Sequence, residues 1–244
     1  MQIEEQYFYR MKIDIEFDFN SDSGGLDPDR HSPTLKSYHQ ILWSKDLPSG
    51  KRIVLTDGGV RGYLKYEDSE KIIELSSDNI ANSYANSESK VIKPTIDLIN
   101  SELVESFRSL NSTIGGYIIF PAKKIDNKQT INGARGFSRT IADRFDLTLE
   151  CIRHYYLNEF NPLSGVLERY EEFFSLFGDF QGYVDFFLLN DLINSDYSVR
   201  FFLPRTEIFP KVGYPQNVEE YRIYRENTME FVANRNQRIH NLFG

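Results

Sequence analysis

The sequence predicts an α+β protein, with an N-terminal antiparallel β-meander and a mostly helical C-terminal two-thirds. Three observations lead there. The runs "RIVLT", "RGYLKYE" and "KIIELS" are short and β-rich, and "DGGV" and "DSE" separate them as turns. From Pro94 onward, apolar residues recur mainly at helical spacing. Strands and helices do not alternate regularly, which argues against a parallel βαβ sheet.

Taken in order, "KIDIEFDF" alternates Ile13, Ile15, Phe17 and Phe19 with charged residues, the pattern of a half-buried strand. The polar loop "NSDSGGLDPDRHSP" leads into "TLKSYHQILW", a short helix with Ser32 as N-cap and Pro33 at the first position. After the meander, residues 77–93 are polar and weakly patterned and are expected to form a mobile segment. A helix is expected over about Pro94–Leu110, then a buried strand in "GGYIIFP" and a basic loop in "AKKIDNKQT". "LSGVLERYEEFFSLF" reads as a helix, "YVDFFLLNDLI" as core, "VRFFLP" as a strand and "NVEEYRIYRENTMEFVANRNQRIHNLF" as a long final helix. Asp185 and Asp191, inside the apolar run, are expected to cap or to pair with an arginine.

The whole chain, residues 1–244, is expected to be a single domain. Its β-rich part spans about 7–76, the mobile segment about 77–93 and the helix-rich part about 94–240. One cysteine, Cys151, excludes an internal disulfide, and four histidines leave little for a zinc site. No apolar run is long enough to span a bilayer, and "MQIEEQYFYR" is no signal peptide, so cytoplasmic residence is expected. The net charge of -8 argues against broad, nonspecific binding to nucleic acid.

The segment "TINGARGFSRTIADRFDLTLECIRHYY" carries the densest charge pattern. Placed on one helix from Ala134 to Tyr156, Phe137, Ile141, Phe145, Leu149, Ile152 and Tyr156 form a buried face. Arg135, Arg139, Asp143, Asp146, Glu150 and Arg153 form a second stripe about 80° wide. Arg139 with Asp143 and Glu150 with Arg153 are suitable ion pairs, but like charges are also neighbours, so the stripe needs partners from elsewhere. Either the fold pairs it internally, or it holds a ligand. In the second case Asn132 caps the helix and Gly133 exposes backbone N–H groups. Arg135, Arg139 and Arg153 then bind an anion, while Asp143, Asp146 and Glu150 supply a base or a divalent-metal site. Neither GxxxxGK[ST] nor GxGxxG is present.

Other patterns are weaker. Asp18, Asn20, Asp22 and Asp29 fall at calcium-loop spacing, but Ser23 occupies the glycine position and a strand precedes them. His39 and Trp43 are helical neighbours, a pairing more often structural than catalytic. Asp57 is first a turn residue, and Cys151 has only His154 near it in sequence. "RNQRIH", Arg235 to His240, matches the R-N-x-x-x-H spacing of HEPN-type ribonucleases over six residues.

Three segments, "DPDRHSPTLKSYHQILWSKDLPSGK", "TINGARGFSRTIADRFDLTLECIRHYY" and "FFSLFGDFQGYVDFFLLNDLI", together resemble a bacterial family known only as a domain of unknown function. The resemblance implies one complete domain and assigns no reaction, cofactor or residue. The expected functions are binding or processing of a phosphate-bearing small molecule or nucleotide, or a noncatalytic interaction module of a toxin–antitoxin or phage-defence system. A metal-independent ribonuclease is a third reading.

Overall fold

The computed structural model of the chain describes residues 12–58, 62–68, 71–85 and 90–244. The start of the chain, the tip of the "DGGV" turn and residues 86–89 of the polar segment lie outside the described residues. The fold is α+β. Strands β1 (Leu55–Asp57), β2 (Leu64–Glu67), β3 (Ile72–Asn79) and β4 (Tyr117–Pro121) form one antiparallel sheet in that order. In its register Leu55 faces Tyr66, Leu64 faces Leu75, and Asn79 faces Tyr117. The helices before the final sheet strand are α1 (Pro28–His31), α2 (Pro33–Trp43), α3 (Asn82–Ala85), α4 (Lys93–Ile96) and α5 (Ser101–Asn111). After β4 come α6 (Ile131–Phe137), α7 (Phe145–Tyr156), α8 (Ser164–Leu167), α9 (Glu171–Phe174), α10 (Phe180–Phe186) and α11 (Val218–Phe243).

Local chemistry sets several of these bounds. Ser32 caps α2 by accepting from Leu35 N at 3.0 Å, with Pro33 in the first turn. Asn217 caps α11 by accepting from Glu220 N. The core is rich in rings: Trp43 stacks on Phe186 at 6.0 Å and meets Phe187 edge-on at 5.1 Å. All five residues of β4 are buried, as its apolar run requires.

Several expected elements differ. "KIDIEFDF" keeps its alternating burial but forms no strand. Asp14 and Asp18 accept from the backbone N–H groups of Glu16 and Asn20, and these Asx turns replace a ladder. "VRFFLP" contributes only an isolated bridge, Ile193 to Val199, because Phe202 N is taken by the Asp146 carboxylate. The helix expected over Pro94–Leu110 restarts at Ser101, where Asn100 caps it through Glu102 N. "LSGVLERYEEFFSLF" is a chain of short α and 3-10 turns. Strand β3, for its part, runs on through the polar Ser77–Asp78–Asn79.

The segment Ala134–Tyr156 is not one helix. It breaks between α6 and α7, where Ala142 and Asp143 take left-handed φ values of 51° and 59°. Such a conformation costs a non-glycine residue about 1–2 kcal/mol. Tertiary bonds offset it: Asp143 N donates to Arg135 O at 3.0 Å, and Ser83 Oγ donates to the Asp143 carboxylate at 2.5 Å. Tyr84 OH also holds Ala142 O. The break turns Phe137 outward, 82% exposed, and removes it from the expected buried face. Phe137→Ser is therefore expected to shift the unfolding free energy by less than about 0.5 kcal/mol in urea denaturation.

Candidate functional site

The break scatters the expected charged stripe into three places. Arg135 is fully buried and pairs with Asp78 of β3, while its Nη2 donates to Asp143 O at 2.8 Å and its Nε lies 3.3 Å from Asp143 Oδ1. Arg144 and Asp146 form a second, fully buried pair, with Nε 3.0 Å from Asp146 Oδ1. Arg144 also donates to Gly213 O and Leu203 O, and Asp146 also accepts from Phe202 N at 2.7 Å. Glu150 receives both arms of Arg153, at 2.9 and 2.8 Å, and lies 3.2 Å from His154 Nε2. Arg139 is exposed and has no ion-pair partner among the described residues. Thr130, not Asn132, caps α6, through Gly133 N at 3.3 Å. The Asn132 side chain leaves Oδ1 covered and without a hydrogen-bond partner among the described residues. Among these groups, then, Asp143 joins Arg135, Asp146 joins Arg144, and Glu150 joins Arg153.

The other sequence candidates also resolve. Arg235 is buried on the carbonyls of Gly115, Tyr117 and Phe187, whereas His240 is exposed. Five residues of α-helix separate them by about 140°, so they do not converge. Asp191 pairs with Arg238 at 2.9 Å, and Asp185 accepts from Asn190 at 2.6 Å. Asp57 pairs with Lys36 at 2.5 Å. Cys151 is buried, and that burial pushes its thiol far above its ordinary value. In the calcium-like loop, Asp22 accepts from Thr34 N and Asp18 from Asn20. Among the described residues no group of three or more His, Cys, Asp or Glu side chains is arranged to hold a metal ion.

A cleft of about 670 Å³ opens elsewhere, between the loop at Asp18–Asp27, helix α1 and helix α5. Among the described residues its polar wall holds Asp18, Asp27, Asp29 and Glu105, with one cation, Arg108, which Glu105 engages. Asp27 caps α1 by accepting from Asp29 N at 3.2 Å, which places Asp29 in the first turn. Asp29 Oδ1 is covered and has no hydrogen-bond partner among the described residues. Burial raises the Asp29 carboxyl well above the ordinary aspartate range, and the charges of Asp78 and Asp27 raise it further. Burial also lifts Asp78, to about 7, with Arg135 pulling against it and Asp143 adding to it. Arg135 touches Asp78 directly and favours its ionised form.

A buried row of hydrogen bonds joins α2 to β3. Trp43 Nε1 donates to His39 Nδ1 at 3.0 Å, and His39 Nε2 is 3.0 Å from Ser77 Oγ. Burial and the nearby Arg235 push His39 down to about 3, so its imidazole is neutral at physiological pH. An indole N–H only donates, so Nδ1 must be bare and Nε2 must carry the hydrogen. His39 is therefore a donor to Ser77, not a base that activates it.

Sequence reasoning placed Asp29 only in a calcium-like loop and overlooked Asp27, Ser77, Asp78 and Glu105 as a group. One signal was present: "SSDN" continues an apolar strand with polar residues, and a polar run inside a sheet needs partners.

No helix among the described residues is long and apolar enough to cross a membrane. Neither a curated protein nor a solved structure matches the chain significantly. A match covers residues 13–239 and takes in α1, the cleft, the sheet and most of α11. The chain belongs to a family of unknown function, DUF6994.

Proposed function

We propose that the chain binds a small organic cation, a molecule bearing an ammonium or guanidinium group, in the acidic cleft, with Asp29 as its proton-carrying group. The observation that carries this reading is Asp29 itself, a raised carboxyl on the wall of a large cleft, with one oxygen lacking a hydrogen-bond partner among the described residues. Among the described residues its neighbours supply more carboxylates than cations. A bound cation would compensate them and would draw the proton from Asp29.

The phosphate-bearing ligand suggested by the sequence has less support. Arg135 and Arg153 are engaged by carboxylates, and Arg139 alone stands exposed. A noncatalytic interaction role is favoured by a different observation, the rings of Phe137 and Phe160, which are 82% and 89% exposed.

A thermal-shift panel separates these readings. It would contain putrescine, spermidine and arginine, with inorganic phosphate, nucleotides and Mg²⁺ beside them. Amines are expected to raise the melting temperature of wild type and to leave Asp29→Asn unmoved. The sign of the pH effect follows from the raised carboxyl. Cation binding needs the ionised form, so the shift grows as pH rises through the Asp29 titration. Phosphates that stabilise wild type but not Arg139→Ala would favour the anion site instead. No shift with any compound would leave the interaction reading.

A further inference from the structure

A second pocket, of about 450 Å³, is walled by three tight turns. The first spans Leu47 to Lys51, where Leu47 N donates to Lys51 O at 2.8 Å and Gly50 N to Leu47 O at 2.9 Å. Gly50 takes a left-handed φ of 79° in it, a conformation that favours glycine. The second is the β2–β3 turn, where Asp68 N donates to Lys71 O at 3.0 Å. The third runs from Ser175 to Gly178, just ahead of α10. Lys51 ties the first turn to the second by donating to Asp68 at 2.6 Å. Pro48 seats the first turn on α10, so closely that a Cβ on Gly182 would lie 3.0 Å from Pro48 Cγ. The fold itself therefore holds the walls in place.

We propose that this pocket binds a monocarboxylic acid with a compact apolar body, such as a short branched or an aromatic acid. The charge of the lining points to an anion. Among the described residues two lysines, Lys51 and Lys71, stand against one carboxylate, Asp68. Asp68 is occupied, accepting from Lys51, from Tyr66 OH at 3.0 Å and from Lys71 N at 3.0 Å. The Lys71 ammonium has no ion-pair partner among the described residues. One positive charge is left in excess, and a monoanion cancels it. A dianion such as a phosphate monoester leaves the balance negative and is opposed by Asp68. Two donors are available to a carboxylate. One is the Lys71 ammonium. The other is the Ser49 hydroxyl, whose oxygen accepts from Lys51 N at 3.4 Å while its hydrogen remains to donate.

The floor sets the rest of the ligand. It is made by Leu47, Pro48 and Leu176. Leu47 is buried, and Leu176 also lines a small internal void with Trp43, Phe177 and Phe186, so the floor continues into the ring-rich core. A ring or branched chain laid on it leaves water, which a bare inorganic ion cannot do. The volume is that of a small-molecule site. Among the described residues none lines both this pocket and the acidic cleft, so the two readings stand or fall separately.

The test is a titration of benzoate into the full chain, read from carbon-labelled leucine methyl groups by NMR. Leu47→Met and Leu176→Met assign the two signals. Benzoate and isovalerate are each expected to shift both signals saturably. Benzamide, which keeps the ring and loses the charge, is expected to bind about tenfold more weakly or worse. Lys71→Gln removes an ammonium that no described carboxylate needs, so it is expected to fold and to weaken benzoate by about tenfold. Should that variant fail to fold, the comparison of benzoate with benzamide and benzylamine decides on wild type alone. Saturable shifts absent from Leu47 and Leu176 would overturn the proposal, as would an unchanged benzoate affinity in folded Lys71→Gln. Benzamide, benzylamine, phenyl phosphate or inorganic phosphate binding there as tightly as benzoate would also overturn it.

Discussion

Arg235→Met is expected to destabilise the fold by about 3–5 kcal/mol. The guanidinium is fully buried, and its bonds of 2.9, 2.7 and 3.0 Å hold the carbonyls of Gly115, Tyr117 and Phe187. These carbonyls belong to the entry to β4 and to the turn after α10, so one side chain of α11 ties together three parts of the chain. Burial pushes Arg235 down to about 9, which still leaves it charged near neutral pH. Among the described residues it has no carboxylate partner, and the carbonyl dipoles are its compensation. Methionine fills similar space but donates nothing, leaving buried acceptors unmet. The close approach of Gly115 adds a constraint, since a Cβ there would meet Val232 O at 2.5 Å. Guanidinium chloride denaturation of wild type and variant measures the loss. A change below about 1 kcal/mol would mean that water or relaxation satisfies these carbonyls.

Arg144→Ala and Asp146→Ala are each expected to cost about 3–5 kcal/mol, because each strands its partner as a buried charge. The pair joins the start of α7 to the segment carrying Phe202, Leu203 and Gly213. Gly213 also packs closely against Thr140, whose carbonyl a Cβ at position 213 would strike. The double variant is expected to lose less than the sum of the two single losses, with a coupling of about 1–3 kcal/mol in a double-mutant cycle. Simple additivity would show that the two side chains act independently.

These two sites show what the sequence could and could not disclose. Helix α2 was legible because its cap, Ser32–Pro33, and its apolar spacing are local. Helix α11 was legible for the same reason, through Asn217 and a long periodic pattern. The break at Ala142–Asp143 was not, because its causes are Ser83, Tyr84 and Arg135, which are distant in sequence or reach it only through the fold. The charge segregation along "ARGFSRTIADRFDLTLE" did signal that partners were needed. It could not identify Asp78 as the partner of Arg135. The cleft was hidden for a related reason. Glu105 lies far in sequence from Asp27 and Asp29, and only the packing of α1, α5 and the sheet brings their segments together.

The account stands most directly on the proton held by Asp29 and its release to a bound cation. Calorimetric titration of spermidine into the full chain, repeated near pH 7 in buffers of different ionisation enthalpy, reads that release. The account predicts a binding heat that changes with the buffer, corresponding to proton release, and neither binding nor proton release in Asp29→Asn. Spermidine binding with no buffer dependence, unchanged in Asp29→Asn, would contradict it.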